Sequence, residues 1–244
     1  MEHALTPAAL LNAWERGRFQ APVDRALTLL SLSGQPEPGR FAQCSIGRRD
    51  AELLRLREAI FGGNITGRTD CPACQQPVEL NLEIADLQAE SAADLPEAFE
   101  GRFGKYELEF RLPTSDDLGS LSRAGDLESQ KRALLLRCVT RASSNGEAFP
   151  ADQLPGDIIN ALSARMAELD PQGDVELALT CPHCGRDWKS PLDVVSFLWS
   201  EIEAWAGRLI LEVHTLASAY GWSEGDILAM SPWRRQAYLE RIAQ

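Results

Sequence analysis

Basic side chains are in deficit: 24 Lys and Arg stand against 36 Asp and Glu in 244 residues, a formal net charge of −12. Nucleic-acid binding depends on Lys and Arg neutralising phosphates, and an anionic membrane surface repels negative charge, so neither partner suits this chain. No apolar run reaches the roughly eighteen residues that a membrane-crossing helix requires. The opening Met-Glu-His-Ala-Leu-Thr-Pro lacks the basic segment and apolar core of a secretion signal. A soluble, non-exported, cytoplasmic protein is the resulting expectation. Histidine is scarce too: His3, His183 and His214 are the three, and none belongs to a nucleophile or zincin motif. Without a phosphate-cradling glycine loop either, the chain is expected not to be an enzyme.

What is present is an ordinary globular composition, 44% hydrophobic and 25% charged, which excludes collagen-like and wholly disordered chains. The acidity is local. Residues 69–180 carry 9 basic and 21 acidic side chains, while 1–68 hold 9 and 7 and 181–244 hold 6 and 8. The excess either keeps the protein soluble or forms a docking face for a basic partner.

Thr6-Pro7 is a helix cap followed by proline at the first helical position, and Leu10, Leu11 and Trp14 then recur at helical spacing. Pro22 opens a second helix, Gly34-Gln-Pro-Glu-Pro-Gly39 is a turn-rich connector, and a third helix runs from about 49 to 61 before Gly62-Gly63. Val78–Ile84, Tyr106–Leu112 and Val175–Leu179 alternate apolar and polar, the period of half-buried strands. Helical patterns cover 127–139 and 158–169. Leu198, Ile202, Trp205, Leu209, Val213, Leu216 and Tyr220 draw one stripe along a helix expected to span roughly 25 residues. Ser223 with Asp226, and Ser231-Pro232, then start short helices. Asp116-Asp117, after Pro113-Thr-Ser, reads as turn and cap chemistry.

Six cysteines divide into two C-x-x-C pairs, Cys71/Cys74 and Cys181/Cys184, plus Cys44 and Cys138, which read as core thiols. In a reducing compartment paired C-x-x-C motifs point first to zinc. Cys71-Pro-Ala-Cys74 and Cys181-Pro-His-Cys184 share proline after the first cysteine and an adjoining alternating strand, the pattern of a knuckle whose backbone amides face thiolate sulfurs. Two knuckles supply four thiolates for one closed, structural Zn2+ site. The intervening 106 residues far exceed the roughly 15–20 of a compact ribbon, but loop-closure entropy grows slowly with length. Two alternatives remain: metal-free knuckles that pack together, and redox-active pairs, although neither pair opens a helix after a parallel strand. His183 reads as a solvent-side residue, and His214 as a helical histidine satisfied in a packed interface.

The sequence resembles the baseplate hub assembly chaperones of T-even-type contractile phages, a family also found in contractile injection systems. The resemblance rests on Leu10-Leu-Asn-Ala-Trp-Glu-Arg-Gly17, Ile46-Gly-Arg-Arg-Asp50, Leu53-Leu-Arg-Leu-Arg-Glu58, Phe61-Gly62, Cys71-Pro-Ala-Cys74, Phe110-Arg-Leu-Pro-Thr-Ser-Asp-Asp-Leu118, Cys181-Pro-His-Cys184 with Trp188, and Phe197-Leu-Trp199. It continues through Val213-His-Thr-Leu-Ala217 and Ala219-Tyr-Gly-Trp-Ser-Glu224 to Ser231-Pro-Trp-Arg-Arg235. It departs at the short, proline-rich Gln35-Pro-Glu-Pro38. The resemblance implies a non-enzymatic assembly factor whose partners are baseplate or hub proteins of a contractile tail. A permanent baseplate subunit and a zinc-ribbon nucleic-acid module stay open as alternatives.

The expected fold is α+β and mostly helical, with a small antiparallel β part built around two zinc knuckles that form one discontinuous zinc-ribbon-like site. Its expected parts are an N-terminal helical region (1–68), a knuckle region with an acidic, partly helical insertion (69–190) and a C-terminal long helix with short helices (191–244). Candidate partner-facing residues are Arg48, Arg49 and Asp50, and the C-terminal Trp233, Arg234, Arg235 and Tyr238, because Trp, Tyr and Arg dominate interface hot spots. Two bland readings compete. Arg48 and Arg49 would make surface ion pairs, and Trp222 and Trp233 would close the end of the long helix as a small cap.

Overall fold

Thr6 caps the first helix, α1 (Pro7–Gly17), through a 3.1 Å hydrogen bond from the Ala9 amide to its hydroxyl, and Pro22 starts α2 (Pro22–Leu30). In this computed structural model, which describes residues 5–34, 39–88, 95–121 and 126–243, the chain continues through α3 (Arg40–Gln43) into α4 (Ile46–Phe61). His3 and the connector residues Gln35–Pro38 lie outside the described residues. Strands β1 (Asn64–Asp70) and β2 (Pro77–Glu83) lead to the single turn α5 (Ile84–Leu87). Then come β3 (Phe99–Phe103), β4 (Tyr106–Phe110), α6 (Ser115–Gly119), α7 (Leu127–Cys138), β5 (Val139–Ser144) and β6 (Glu147–Ala148). Helix α8 (Gly156–Leu169), strands β7 (Glu176–Thr180) and β8 (Asp187–Pro191), and helices α9 (Val194–Tyr220), α10 (Glu224–Leu228) and α11 (Pro232–Ile242) complete the order. The fold is α+β, and its sheets are small and antiparallel.

The chain divides into two compact units, residues 1–36 with 195–244, and residues 37–194. These limits differ from a division at 68 and 190, since α4 packs with the segment around 171–173 inside the second unit.

In the first unit Leu198, Ile202, Ala206, Leu209 and Leu216 of α9 are buried, so the apolar stripe is core. Its last member, Tyr220, is instead surface-exposed and stacks on Trp222 at 4.5 Å. Gly17 ends α1 against Trp199, and a Cβ there would stand 2.4 Å from the indole. Arg25 finishes that corner, donating to the Gly17 carbonyl at 3.0 Å while its guanidinium lies over the Trp199 ring.

The acidic stretch between the cysteine pairs is a folded layer rather than a partly helical insertion alone. Four antiparallel strands in the order β3-β4-β5-β6 place Tyr106, Leu108 and Phe110 on the face covered by α7 and α8. The alternation Tyr-Glu-Leu-Glu-Phe over 106–110 is what builds that sheet, with Glu107 exposed between buried neighbours. Ile158, Ile159, Leu162 and Met166 of α8 close the core.

Helix α4 is anchored at its N-terminus by distant chain. Ser45 accepts from the Arg48 amide, the Ile46 amide donates to the Pro113 carbonyl at 3.0 Å, and the Gly47 amide donates to Asp170 Oδ2 at 2.9 Å. Position 47 has no room for a side chain, since a Cβ would lie 2.0 Å from Asp170 Oδ1. Gly47→Ala is therefore expected to expel the buried Asp170 carboxylate from its hydrogen bond and cost about 2–3 kcal/mol in urea denaturation. Asp170→Ala should lose a similar amount without the clash.

Candidate metal centre

Each cysteine pair forms the tip of a two-stranded hairpin. β1 pairs with β2 so that Asp70 faces Pro77, and β7 pairs with β8 so that Thr180 faces Asp187. The two tips close in the same way. The Gln75 amide donates to the Cys71 carbonyl at 2.8 Å and the Cys71 amide to the Gln76 carbonyl at 3.0 Å. In the second hairpin the Gly185 amide reaches the Cys181 carbonyl at 2.9 Å, and the Cys181 amide reaches the Arg186 carbonyl at 2.9 Å. The corresponding residues Gln75 and Gly185 both take positive φ, 57° and 72°. This conformation is natural for glycine and strained for glutamine.

The tips meet. Cys71 Sγ lies 3.7 Å from Cys184 Sγ, and Cys74 Sγ lies 3.6 Å from Cys181 Sγ. All four sulfurs fall within 4.8 Å of one another. Tetrahedral bonds of about 2.3 Å to a central ion would space sulfurs by roughly 3.8 Å, so the donor set fits a thiophilic metal with no ligand position left over. Cys71 and Cys181 are buried with Val78, and Leu80 and Trp188 pack against them.

Backbone amides face the sulfurs of Cys71, Cys74 and Cys184, as the knuckle pattern implied, while burial and the sulfurs' mutual contacts set the thiols apart. The Cys74 amide, with that of Ala73 and the Cys181 thiol, lowers Cys71 to about 6 against the cost of burial. The Gln76 amide favours the Cys74 thiolate, but desolvation and the sulfurs of Cys184, Cys181 and Cys71 push that thiol up to about 12. The Arg186 amide and the Cys74 thiol favour the Cys184 thiolate, but desolvation and the sulfurs of Cys181 and Cys71 raise that thiol overall. Four ionised thiols at this spacing require a cation among them.

Polar contacts far from the sulfurs set the hairpins side by side. The segment leading into the second hairpin carries Asp170, which caps α4, and Gln172, whose buried side-chain amide donates to the Leu87 carbonyl at 3.1 Å. Helix α4 and Leu87 flank the first hairpin, and the Ile84 amide ties its far end to the Gly63 carbonyl at 2.9 Å. Neither contact has a signature in the sequence. The pattern of charge and alternation does not reveal that a carboxylate caps a helix 123 residues away.

The other candidate residues scatter. Arg49 and Asp50 are in the interior: Arg49 pairs with Asp50 at 2.7 Å and reaches the Ser115 hydroxyl at 3.3 Å, and burial raises the Asp50 carboxyl despite that pairing. The pair expected on the surface is thus buried, because the charged stretch of α4 turns inward at these two positions. Arg48 is half-buried beside them. Arg235 is 4% exposed and held by Glu212 at 2.9 Å and the Met230 carbonyl at 2.8 Å. Tyr238 joins Trp222 and Tyr220 in an aromatic cap on the end of α9, which is where the bland reading placed Trp222. Trp233 is 80% exposed, not part of that cap, and Arg234 beside it is exposed. His183 is exposed as expected, and His214, expected to be satisfied in packing, is exposed as well. Cys138 is fully buried, with its thiol pushed up to about 11 by desolvation, whereas Cys44 is only half-buried. Asp117 forms the expected capping box with Thr114. No helix among the described residues is long and apolar enough to cross a membrane.

Comparison with curated proteins and with solved structures gives no match. The family described as T4 bacteriophage base plate protein matches residues 36–199, a span that contains both hairpins and the whole sheet layer between them. By that match, over more than half its length, the chain belongs to the T4 bacteriophage base plate protein family.

Proposed function

We propose that this protein is a non-enzymatic assembly factor for the baseplate or hub of a contractile phage tail or injection system, held in shape by one structural zinc ion. The observation that carries the reading is the cluster of four cysteine sulfurs, drawn from hairpins more than a hundred residues apart, in a protein of the base plate family. A full set of four thiolates leaves no open position for water or substrate, so the metal's part is to fix a scaffold rather than to react. Such a scaffold works in the cytoplasm, where thiols stay reduced and tails are built. Exposed Asp70, Glu79, Glu83 and Glu176 surround the hairpins and argue against a zinc-ribbon module for nucleic acid. Trp233 and Arg234 offer an exposed pair for a partner protein.

Quantitative mass spectrometry of purified mature particles tests the transient role. The chain is expected in assembling cells and absent from, or far below stoichiometric amounts in, finished particles. Stoichiometric recovery would instead make it a permanent baseplate subunit.

A further inference from the structure

Residues 37–194 hold 17 Lys and Arg against 27 Asp and Glu, a net of −10. One cleft in this unit runs against that trend. It encloses about 730 Å³ beside the N-terminus of α4, and its described walls include Arg40, Arg48 and Arg111 with Glu97 as the one carboxylate. Arg111 is committed, because it grips both oxygens of Asp117 at 2.5 and 2.8 Å. Arg40 and Arg48 are different: neither guanidinium has an ion-pair partner among the described residues. Leu95 and the buried Leu112 add apolar surface between the charges.

We propose that this cleft binds an acidic peptide segment of a partner protein, with its carboxylates on Arg40 and Arg48 and an apolar side chain against Leu95 and Leu112. Guanidinium forks match planar carboxylates in two-point hydrogen bonding, and pockets of this size take a few side chains. The surrounding carboxylates select the length of the ligand. A polyanion such as nucleic acid is repelled along the rest of the unit, whereas a short segment feels chiefly the charges within the screening length of about 8 Å. Arg48 thereby keeps the partner-facing place that the sequence suggested, while Arg49 and Asp50 leave it and Arg40 enters. The proposal rests on the assembly reading only in taking the partner to be another baseplate protein.

The full-length protein is titrated at about 0.15 M ionic strength with a fluorescein-labelled hexapeptide of alternating leucine and glutamate, with its leucine–glutamine counterpart, and with a single-stranded oligonucleotide. The glutamate peptide is expected to bind with Kd on the order of 100 µM, weakening as salt rises, and the other two to bind at least about tenfold more weakly. Combining Arg40→Ala with Arg48→Ala should weaken the glutamate peptide about tenfold or more. Combining Arg55→Ala with Arg165→Ala, the same change in net charge elsewhere, should leave binding unchanged. Arg40 is exposed, so Arg40→Ala alone carries the test if the double variant does not fold. Equal binding of the glutamine peptide, equal loss in both double variants, or displacement of the peptide by the oligonucleotide would overturn the proposal. Those results would leave the baseplate role standing, since particle composition decides that separately.

Discussion

Purified under reducing conditions, the protein should contain about one zinc per chain, and Cys74→Ser or Cys184→Ser should abolish it. Metal removal is expected to cost several kcal/mol, because thiolate–zinc binding is coupled directly to folding. At about 2–4 °C per kcal/mol for a chain of this size, melting should fall by more than about 8 °C. The loss should be concentrated in residues 37–194, where both hairpins lie, and hydrogen exchange would resolve it from the 1–36 and 195–244 unit. Cys138→Ser serves as the contrast, since it alters a buried thiol in the sheet core without touching metal content. Gly47→Ala disturbs the Asp170 contact that brings the hairpins together, so it should weaken zinc affinity while leaving all four ligands in place. Unchanged melting after chelation of the reduced protein would mean that packing alone holds the knuckles.

The four cysteines of the candidate metal site were legible in the sequence because a C-x-x-C knuckle is local: cysteine, proline, turn and amide direction all come from six consecutive residues. Their apposition was legible only as arithmetic, four thiolates needing one ion. The contacts that accomplish it, Gly47 with Asp170 and Gln172 with Leu87, are single polar residues in segments with no periodic pattern. The cleft was hidden for the same reason, since Arg40, Arg48 and Arg111 share no local signal. Buried charge has no local signal either. Arg49, Asp50 and Arg235 look like surface residues in any one-dimensional pattern, and only the packing of α4 and α11 shows that each is enclosed with its partner.

Among the elements, helices were the readable part. Thr6, Ser223 and Ser231 cap where their chemistry places them, and the stripe on α9 predicted a helix that spans Val194–Tyr220. Strands with their own alternation, such as β4, were equally plain. The missed strands carry few apolar side chains to mark it: Ile65 is the one large apolar residue of β1, Val139 of β5 and Trp188 of β8. Each owes its conformation to a neighbour's hydrogen bonds, so its own sequence carries little of the signal. This is why the acidic middle stretch read as an insertion and is a sheet layer with its own core.

Asp117 is the second residue on which stability should turn. Its side chain is 3% exposed, accepts two hydrogen bonds from Arg111, one from the Thr114 amide at 3.0 Å and one from the Thr114 hydroxyl at 2.9 Å, and lies 3.4 Å from Arg137. The network joins the end of β4, the cap of α6 and the end of α7, so one carboxylate holds three elements. Asp117→Ala leaves Arg111 without its partner and should cost about 3 kcal/mol at pH 7. The Arg111 guanidinium, with the Thr114 amide and hydroxyl, holds the Asp117 carboxyl well below the usual carboxylate range. A carboxyl whose folded-state pKa is depressed contributes stability that is fully present above the unfolded value of about 3.9 and is lost as pH falls below it. The stability difference between wild type and Asp117→Asn, from urea denaturation at several pH values, should therefore be constant above about pH 5 and shrink steadily below pH 4. Asp50 works in the opposite sense, because its carboxyl is raised by burial and its protonation on acidification relieves a cost rather than removing a support. The comparison with Asp117→Asn isolates the one from the other. A difference that stayed constant down to pH 3 would show that the Arg111 pairing, however close, does not hold the charged form of Asp117 in the folded state.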